Sequence, residues 1–309
     1  MSRLPSNVAL RRRLDRLAEW GIFAVSLAAI SIIFFIFIYI TREAWPLIAD
    51  ASRETSLGAV FGAPLQWDPV SVGNPRYSVW PLAVGTLKVT LIAMLFGTPV
   101  ALGAALYTAE FAPHALRQWL KPAVELLAGV PSVVVGFFAL VVMASWIQDL
   151  FGLQYRLNAF TAGIALSLAV IPIIFTVAED ALSAVPATYR EASLALGASA
   201  VQTAVRVVLP AASPGIGAAL ILGMGRAIGE TMIVLMVSGN AAILGFDPFS
   251  GARTMSATIA AELGEVVYGS DHYRVLFLLG VLLFFTTSGL NWIGERVNSG
   301  LRKKLFGSA

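Results

Sequence analysis

Cysteine is absent from the 309-residue chain, and histidine and charged residues are scarce. Without cysteine the chain forms no disulfide, no thiolate metal site and no thiol nucleophile. The two histidines, His114 and His272, lie too far apart in the sequence to have the spacing of metal ligands. Charged residues make up 13% of the chain and hydrophobic residues 58%, whereas soluble domains have roughly 25% charged residues. This balance predicts a helical integral membrane protein, and the net charge of +3 gives no reason to expect a nucleic-acid partner.

The sequence also lacks the short motifs of ATP hydrolysis and of common hydrolases. It contains no G-x-x-x-x-G-K-[ST] phosphate-binding loop, because "GMGRAIGE" supplies glycines without the Lys-Ser/Thr pair and lies in an apolar run. It contains neither G-x-S-x-G nor H-E-x-x-H. We therefore expect no catalytic residues, no cofactor and no metal in this chain, and we expect any ATPase to be a separate subunit.

Long apolar runs dominate the sequence instead. A transmembrane helix needs about 20 mostly apolar residues, and six stretches qualify: residues 21–40, 84–108, 123–147, 159–178, 214–238 and 275–294. The first run is too long for the apolar region of a cleaved signal peptide, and no small-residue cleavage site follows it. The sequence therefore predicts an all-α integral membrane protein with six transmembrane helices.

Charge asymmetry predicts the orientation of these helices. With a cytoplasmic N-terminus, the inner segments hold about twice as many Lys and Arg residues as the outer segments, as the positive-inside rule requires. Both termini are then cytoplasmic. The predicted divisions are a cytoplasmic segment at 1–20, the first helix at 21–40, a periplasmic loop at 41–80, a core at 81–298 with five membrane helices and an inner loop at 179–213, and a cytoplasmic tail at 299–309.

Two outer segments are long enough to have structure of their own. In residues 41–80, "WDPVSVGNPRY" indicates turns. In residues 239–273, apolar residues recur at helical spacing, at Met255, Ile259, Leu263 and Val266. We expect the second piece to form a short amphipathic helix that lies at the outer surface.

The inner loop after the fourth span predicts two short helices joined by a glycine turn. Pro186 suits a first helical turn, and Gly197 can take the left-handed conformation that ends a helix. Ser199 can cap a second helix. That helix would have three valines on one side, Val201, Val205 and Val208.

The sequence of this loop, "EASLALGASAVQTAVRVVLP", resembles the EAA motif of ABC importer permeases. The matching positions are Glu191, Ala192, Gly197, Leu209 and Pro210. Ser193 replaces the second Ala of the motif, and Val207 replaces Ile. The resemblance implies the type I permease fold and a loop that inserts into a cleft on a cytoplasmic ATPase subunit. The alternative is an ordinary amphipathic loop in which Glu191 pairs with Arg190 or faces solvent.

Two charges fall inside the fifth apolar run. Counted from Pro214 at 1.5 Å per residue, Arg226 lies roughly 18 Å from the inner end and Glu230 about 6 Å further out. They are four residues apart and would share a helix face. Each charge opposes insertion by about 2.5–3.5 kcal/mol, so both must face protein or water. A structural pair and an anion path are both compatible with this pattern.

The sequence around these charges, "LGMGRAIGETM", resembles the fifth helix of the PstC-type permeases of bacterial phosphate importers. "GTLKVTLIAMLFGTPVALGAALYTAEFAP", "ELLAGVPSVVVG" and "VIPIIFTVAED" are also similar to that family. The resemblance implies that Arg226 and Glu230 take part in phosphate translocation, and Thr231 offers a nearby hydroxyl. The sister PstA type has a related Gly-Glu-Thr but typically lacks "GRAIGETM".

The same resemblance implies a complex in the bacterial inner membrane. Its other members would be a PstA-type permease subunit, a dimer of PstB-type ATP-binding subunits and a periplasmic phosphate-binding protein. A guanidinium donates forked hydrogen bonds that suit any tetrahedral oxyanion. Chemistry alone therefore leaves sulfate or molybdate open as the substrate.

Four further residues have simpler interpretations. Lys88, near the outer end of the second span, is expected to extend its ammonium to the membrane interface rather than to bind anion. Glu125 is expected to pair with Lys121 four residues earlier. Pro131 and Pro172 are expected to kink their helices.

Overall fold

The computed structural model describes residues 6–49, 55–71 and 73–306, and these residues are mostly helical. Parts of the predicted N-terminal segment, periplasmic loop and C-terminal tail therefore lie outside the described residues. The helices are α1 Ser6–Ala49, α2 Leu57–Phe61, α3 Trp80–Glu110, α4 His114–Ala128, α5 Ser132–Phe138, α6 Ala144–Phe151, α7 Ala159–Ser183, α8 Ala187–Ala195, α9 Ala200–Thr203, α10 Leu209–Ala211, α11 Ser213–Gly229, α12 Met232–Val237, α13 Met255–Glu262 and α14 Asp271–Phe306. A π-helical turn at Ala139–Met143 joins α5 to α6, and another at Ala204–Val208 joins α9 to α10.

Within the described residues, five helical stretches are long and apolar enough to cross a membrane. They are Leu14–Ala49, Trp80–Glu110, Ser132–Phe151, Ala159–Ser183 and Asp271–Gly300. A sixth candidate is the pair Ala200–Ala211 and Ser213–Gly229, which is bent by 70°. The count matches the six predicted spans only when this bent pair is included.

The third predicted span is wrong at its inner end. The predicted helix begins near residue 123, but the structure ends α4 at Ala128 and begins the spanning helix at Ser132. Pro131 precedes that helix in an extended conformation, with ψ at 134°. Proline has no amide hydrogen to donate to the preceding turn. The expected kink at Pro131 is therefore a complete break between two helices.

Helix α7 forms the centre of the bundle. Its side chains Leu166, Ile174, Phe175 and Leu182 are almost fully buried, and it packs against α3, α4 and α11. Helix α1 lies outside this core. Its most hydrophobic 18-residue window has no buried residue, and it packs along α14, where the rings of Phe37 and Phe284 are 4.5 Å apart.

The outer segments differ from the predictions in two ways. "WDPVSVGNPRY" forms a small hairpin rather than turns alone, because β1 (Trp67–Asp68) pairs antiparallel with β2 (Arg76–Tyr77). Helix α13 does not lie on the surface as predicted. Ala257 and Thr258 are fully buried, and the helix packs against α3, α12 and α14.

Candidate functional site

The fifth predicted span breaks where its two charges lie. Helix α11 ends at Gly229, and α12 begins at Met232. Between them Glu230 is extended, with φ at −68° and ψ at 131°. The prediction of one continuous helix through residues 214–238 is therefore wrong. Backbone groups that a continuous helix would pair internally are turned toward other segments at this break.

Arg226 and Glu230 form a loose ion pair across the last turn of α11. Nη2 of Arg226 and Oε2 of Glu230 are 3.9 Å apart, and the side chains are 40% and 6% exposed. A direct N–H···O hydrogen bond requires about 2.7–3.2 Å. The carboxylate is buried, while the guanidinium is partly exposed and makes no short hydrogen bond to it.

Two hydroxyls lie beside the break. Oγ1 of Thr231 is 3.3 Å from the carbonyl oxygen of Gly229. Oγ of Ser256, on α13, donates to the carbonyl oxygen of Glu230 at 2.9 Å. Both residues line an open groove of about 550 Å³ whose other walls are mainly apolar. Sequence reasoning missed Ser256, although it lies in the hydroxyl-rich run "RTMSAT", which contains the first of the periodic apolar residues, Met255.

The inner loop folds as two short helices around a glycine turn, as predicted. Gly197 has φ at +82°. Ser199 and Gln202 form a capping box at the start of α9. The hydroxyls of Ser193 and Thr203 lie 2.9 Å apart in the buried contact between the two helices. Leu196 at the tip is 90% exposed, so the turn presents an apolar side chain to the surroundings.

The valines of the second loop helix do not share one face. Val208 is fully buried, whereas Val201 is 60% and Val205 is 46% exposed. The π-helical turn at Ala204–Val208 adds a residue to the turn and shifts the pattern. Thr203, rather than Val201 or Val205, is the buried residue on this side of the second loop helix.

Arg190 pairs with Glu110 at the inner end of α3 rather than with Glu191, and so it connects the loop to α3. Its Nη2 lies 2.6 Å from Oε1 of Glu110, and its Nε lies 3.1 Å from both oxygens of that carboxylate. Arg190 also donates to the carbonyl oxygens of Leu182 and Val185. Glu191 and Ala192 are exposed, so they remain available to a partner.

A second ion cluster ties α4 to the inner end of α7. Glu179 is 1% exposed and accepts from Arg117 at 2.6 Å and from Lys121 at 2.8 Å. Lys121 also pairs with Asp180, so the predicted pairing with Glu125 is wrong. The hydrogen bonds to Asp180 and Glu179 raise the pKa of Lys121 above its ordinary value.

The sequence predicted that Lys88 extends its ammonium to the membrane interface, but in the structure Lys88 is buried. It is 6% exposed. Its ammonium donates to the carbonyl oxygens of Gly245 and Asp247, at 3.3 and 2.9 Å, and to Oγ of Ser250 at 3.0 Å. The outer loop folds over this end of α3 and supplies the oxygens that solvent would otherwise provide.

The chain resembles transport permeases by sequence. It matches the family described as "Binding-protein-dependent transport system inner membrane component" over residues 97–303. It is 36% identical over 223 residues to the probable ABC transporter permease protein YqgH of Bacillus subtilis, covering 72% of each chain. It is 36% identical over 262 residues to the phosphate transport system permease protein PstC 1 of Mycobacterium tuberculosis, covering 76% of this chain and 77% of that one. It is 32% identical over 252 residues to PstC of Mesorhizobium japonicum, covering 75% and 76%.

Solved ABC transporters share its fold. A chain of the MetNI methionine ABC transporter in an inward-facing conformation matches with a TM-score of 0.54 at 23% identity, over 72% of this chain and 94% of that one. A chain of a bacterial alginate ABC transporter, in complex with an alginate pentasaccharide-bound periplasmic protein, matches with a TM-score of 0.62 at 17% identity, over 96% and 98%. At these identities the likeness establishes the fold alone.

Proposed function

Because this chain belongs to the binding-protein-dependent transport system inner membrane components and resembles their PstC-type members, we propose that it is the PstC-type permease subunit of an ABC importer for inorganic phosphate. Family membership makes it a multi-pass protein of the inner membrane. In this role the chain forms half of the transmembrane pathway. ATP hydrolysis belongs to a separate subunit, and the chain is a transport subunit rather than an enzyme.

The observation that carries this proposal is the break beside Arg226. A guanidinium within an apolar span is costly unless it faces protein or a water-filled path. Here the guanidinium is 40% exposed, and its carboxylate partner stays 3.9 Å away. A phosphate ion can take the forked donors of Arg226 without first displacing a short hydrogen bond. Glu230 then limits the attraction, so that the anion is released again.

The inner loop at residues 191–210 supports a second part of the proposal, coupling to the ATPase subunits. Glu191, Ala192 and Gly197 lie on the exposed side of α8 and its turn, while Leu209 and Pro210 lead through the bend at Ala212 into α11. Arg190 joins the same loop to α3 through Glu110. A displacement of the loop would therefore be transmitted both to α3 and to α11, the helix that contains Arg226.

The proposed partners are a PstA-type permease subunit, a dimer of PstB-type ATP-binding subunits and a periplasmic phosphate-binding protein. The outer segments 41–80 and 239–273 would supply part of the surface on which the binding protein docks. The solved alginate transporter is in complex with a periplasmic protein, which supports an assembly of this kind.

The test is ATP-dependent uptake by the complex reconstituted in vesicles, with labelled phosphate and labelled sulfate measured side by side. We expect uptake that is selective for phosphate and that requires the binding protein. Uptake of sulfate or molybdate in place of phosphate would overturn the assigned substrate but would leave the permease role intact. ATP hydrolysis that is stimulated by the binding protein without any uptake would contradict the transport role itself.

Replacing Arg226 tests the anion path directly. We expect Arg226→Gln to lower phosphate uptake by about 100-fold or more, since charge-assisted hydrogen bonds contribute about 1.5–3 kcal/mol each and two are lost. The complex should still assemble. Arg156→Gln is the matched control, because Arg156 is an exposed arginine in the loop between α6 and α7. Normal uptake by Arg226→Gln would mean that the pair with Glu230 is structural only.

A further inference from the structure

The start of helix α13 is buried beside the break between α11 and α12. The backbone amide of Met255 donates to Oγ1 of Thr86 on α3 at 3.1 Å. Gly85 allows this close approach, because a Cβ at that position would lie 2.2 Å from the carbonyl oxygen of Arg253. The start of α13 is therefore fixed against α3 and cannot slide along it without losing this contact.

From this position Ser256 reaches the extended residue of the break. Its Oγ donates to the carbonyl oxygen of Glu230 at 2.9 Å, and the two residues are only 8% and 7% exposed. Oγ1 of Thr254 lies 3.2 Å from the same hydroxyl. In a continuous helix the carbonyl of Glu230 would accept the amide of residue 234. In this structure the extended backbone of Glu230 turns its carbonyl toward α13, where the carbonyl oxygen accepts a hydrogen bond from Ser256.

We propose that Ser256 is a positioning residue for anion passage, which holds the fifth span open at Glu230. The inference rests on the proposed anion path through Arg226. Without the hydroxyl, the buried carbonyl oxygen of Glu230 loses its hydrogen-bond donor, which is costly in apolar surroundings. Continuing the helix through Glu230 and Thr231 would restore a partner for it. That change would bring the carboxylate onto the helix face of Arg226, four residues earlier, and would tighten the pair.

The groove beside the break makes this rearrangement measurable. Thr231 and Ser256 line the same open groove of about 550 Å³. When the helix closes through residues 230 and 231, the side chain of residue 231 rotates out of the groove. Since the chain has no cysteine, a single cysteine at this position reports its access to water.

The first experiment compares Thr231→Cys alone with Thr231→Cys combined with Ser256→Ala, using a water-soluble methanethiosulfonate reagent. We expect the labelling rate to fall at least fivefold when the serine hydroxyl is removed. The matched control is Thr231→Cys with Thr258→Ala. Thr258 is a fully buried hydroxyl of the same helix that bonds only one turn back, to the carbonyl oxygen of Thr254. The control should label at the unmodified rate.

The second experiment measures phosphate uptake by the reconstituted complex as a function of phosphate and binding-protein concentration. We expect Ser256→Ala to lower the maximal rate about tenfold, while Ser256→Thr, which keeps the hydroxyl, retains at least half of it. Thr258→Ala should transport normally. A tightened Arg226–Glu230 pair slows passage through the pathway rather than docking of the binding protein, so the half-saturating concentration of binding protein should stay unchanged.

The outcomes separate this inference from the proposed function. Normal uptake by Arg226→Gln would defeat the anion path and, with it, the role of Ser256. An inactive Arg226→Gln together with unchanged labelling and uptake in Ser256→Ala would defeat the role of Ser256 alone. Labelling needs only an inserted chain, so it decides the question even if Ser256→Ala fails to assemble with its partners.

Discussion

The ammonium of Lys88 is buried and bonded to three oxygens of the outer loop. A cation on a long apolar stem is expected at the membrane interface from sequence alone. The fold changes this outcome, because residues 245–250 return over the outer end of α3. The loop also binds the start of α7, where the amides of Ala159 and Phe160 donate to the carbonyl oxygens of Ser250 and Pro248. Lys88 thus connects α3 with the loop that caps α7.

We expect Lys88→Met to destabilise the chain by about 1.5–3 kcal/mol, the typical contribution of hydrogen bonds to a charged group. Methionine fills a similar volume but leaves the two carbonyl oxygens without their donor. Thermal unfolding of the purified complex in detergent would show a lower midpoint. Lys303→Met is the control, because Lys303 is exposed. Equal midpoints for the two variants would contradict the structural role of Lys88.

Arg226 and Glu230 differ from Lys88, since the sequence singled them out as candidate functional residues. The structure differs from the prediction only in the backbone between them, because the helix ends at Gly229. The motif placed both charges on one helix face. In the structure the backbone at Glu230 is extended, its carbonyl oxygen accepts from Ser256, and its carboxylate lies 3.9 Å from the guanidinium. The bond from Ser256 joins residues 26 positions apart, and no local pattern encodes such a contact.

At the scale of single elements, the inner loop was predicted almost completely. Its helix ends depend on local signals, namely Pro186 before α8, the positive φ of Gly197 and the capping box of Ser199. Each signal acts within a few residues, so the sequence suffices to place it. The π-helical turn at Ala204–Val208 was not predicted. Such turns have no reliable sequence signature, and this one decides which valines face the loop's interior.

Gly197→Ala tests whether the turn matters for coupling. Alanine in the left-handed region costs about 1–2 kcal/mol, enough to shift the population of the turn by about 5- to 30-fold. We therefore expect several-fold lower ATP hydrolysis stimulated by the binding protein. Gly103→Ala is the control, because a Cβ on this α3 residue meets nothing within 4 Å. Unchanged stimulation in Gly197→Ala would show that the turn geometry is dispensable for coupling.

Helices α4 and α13 show where reasoning from single elements fails. The apolar content of residues 123–128 favoured membrane insertion, but Pro131 and the ion pairs of Arg117 and Lys121 with Glu179 assign them to a separate helix. The apolar spacing in α13 correctly predicted a helix. Its depth depends on α3 and α12, which are distant in sequence, and so the surface position was wrong.

At the scale of the whole molecule, Glu262 joins the outer segment at residues 253–272 to the hairpin, which is almost 200 positions earlier in the chain. It accepts from Nε1 of Trp67 in the hairpin at 3.2 Å, and it lies 2.6 Å from Nη2 of Arg253 and 2.8 Å from Nε2 of His272. Its side chain is 14% exposed. Burial opposes ionisation, but the hydrogen bond with His272 and the charge of Arg253 outweigh it and hold the pKa of Glu262 below its ordinary value.

This network makes the stability of the outer side depend on pH. A carboxylate with a depressed pKa contributes stability that is complete above its ordinary value of 4.5 and is lost as pH falls through the lower pKa of the folded chain. We expect Glu262→Gln to lower the unfolding midpoint at pH 7. Its midpoint should approach that of the unmodified protein as pH falls below 4.5 and through the depressed pKa of Glu262, because the carboxylate is then protonated. The measurement is thermal unfolding in detergent across this range. Glu265→Gln, at an exposed carboxylate of the same region, should match the unmodified protein throughout.

The sequence by itself determined the class, the approximate positions of the apolar spans, and the helix ends of the inner loop. Apolar runs, charge asymmetry and capping residues act locally or through the membrane, so their effect does not depend on how the helices pack. The sequence also placed Arg226 and Glu230 in one span. The resemblance of "GRAIGETM" to the PstC-type permeases indicated the family of the chain. Only the tertiary structure decided the break at Glu230, the burial of Lys88 and the depth of α13. Each of these depends on a hydrogen bond or contact between segments far apart in the chain, and such pairings are set by packing around α7 rather than by local sequence.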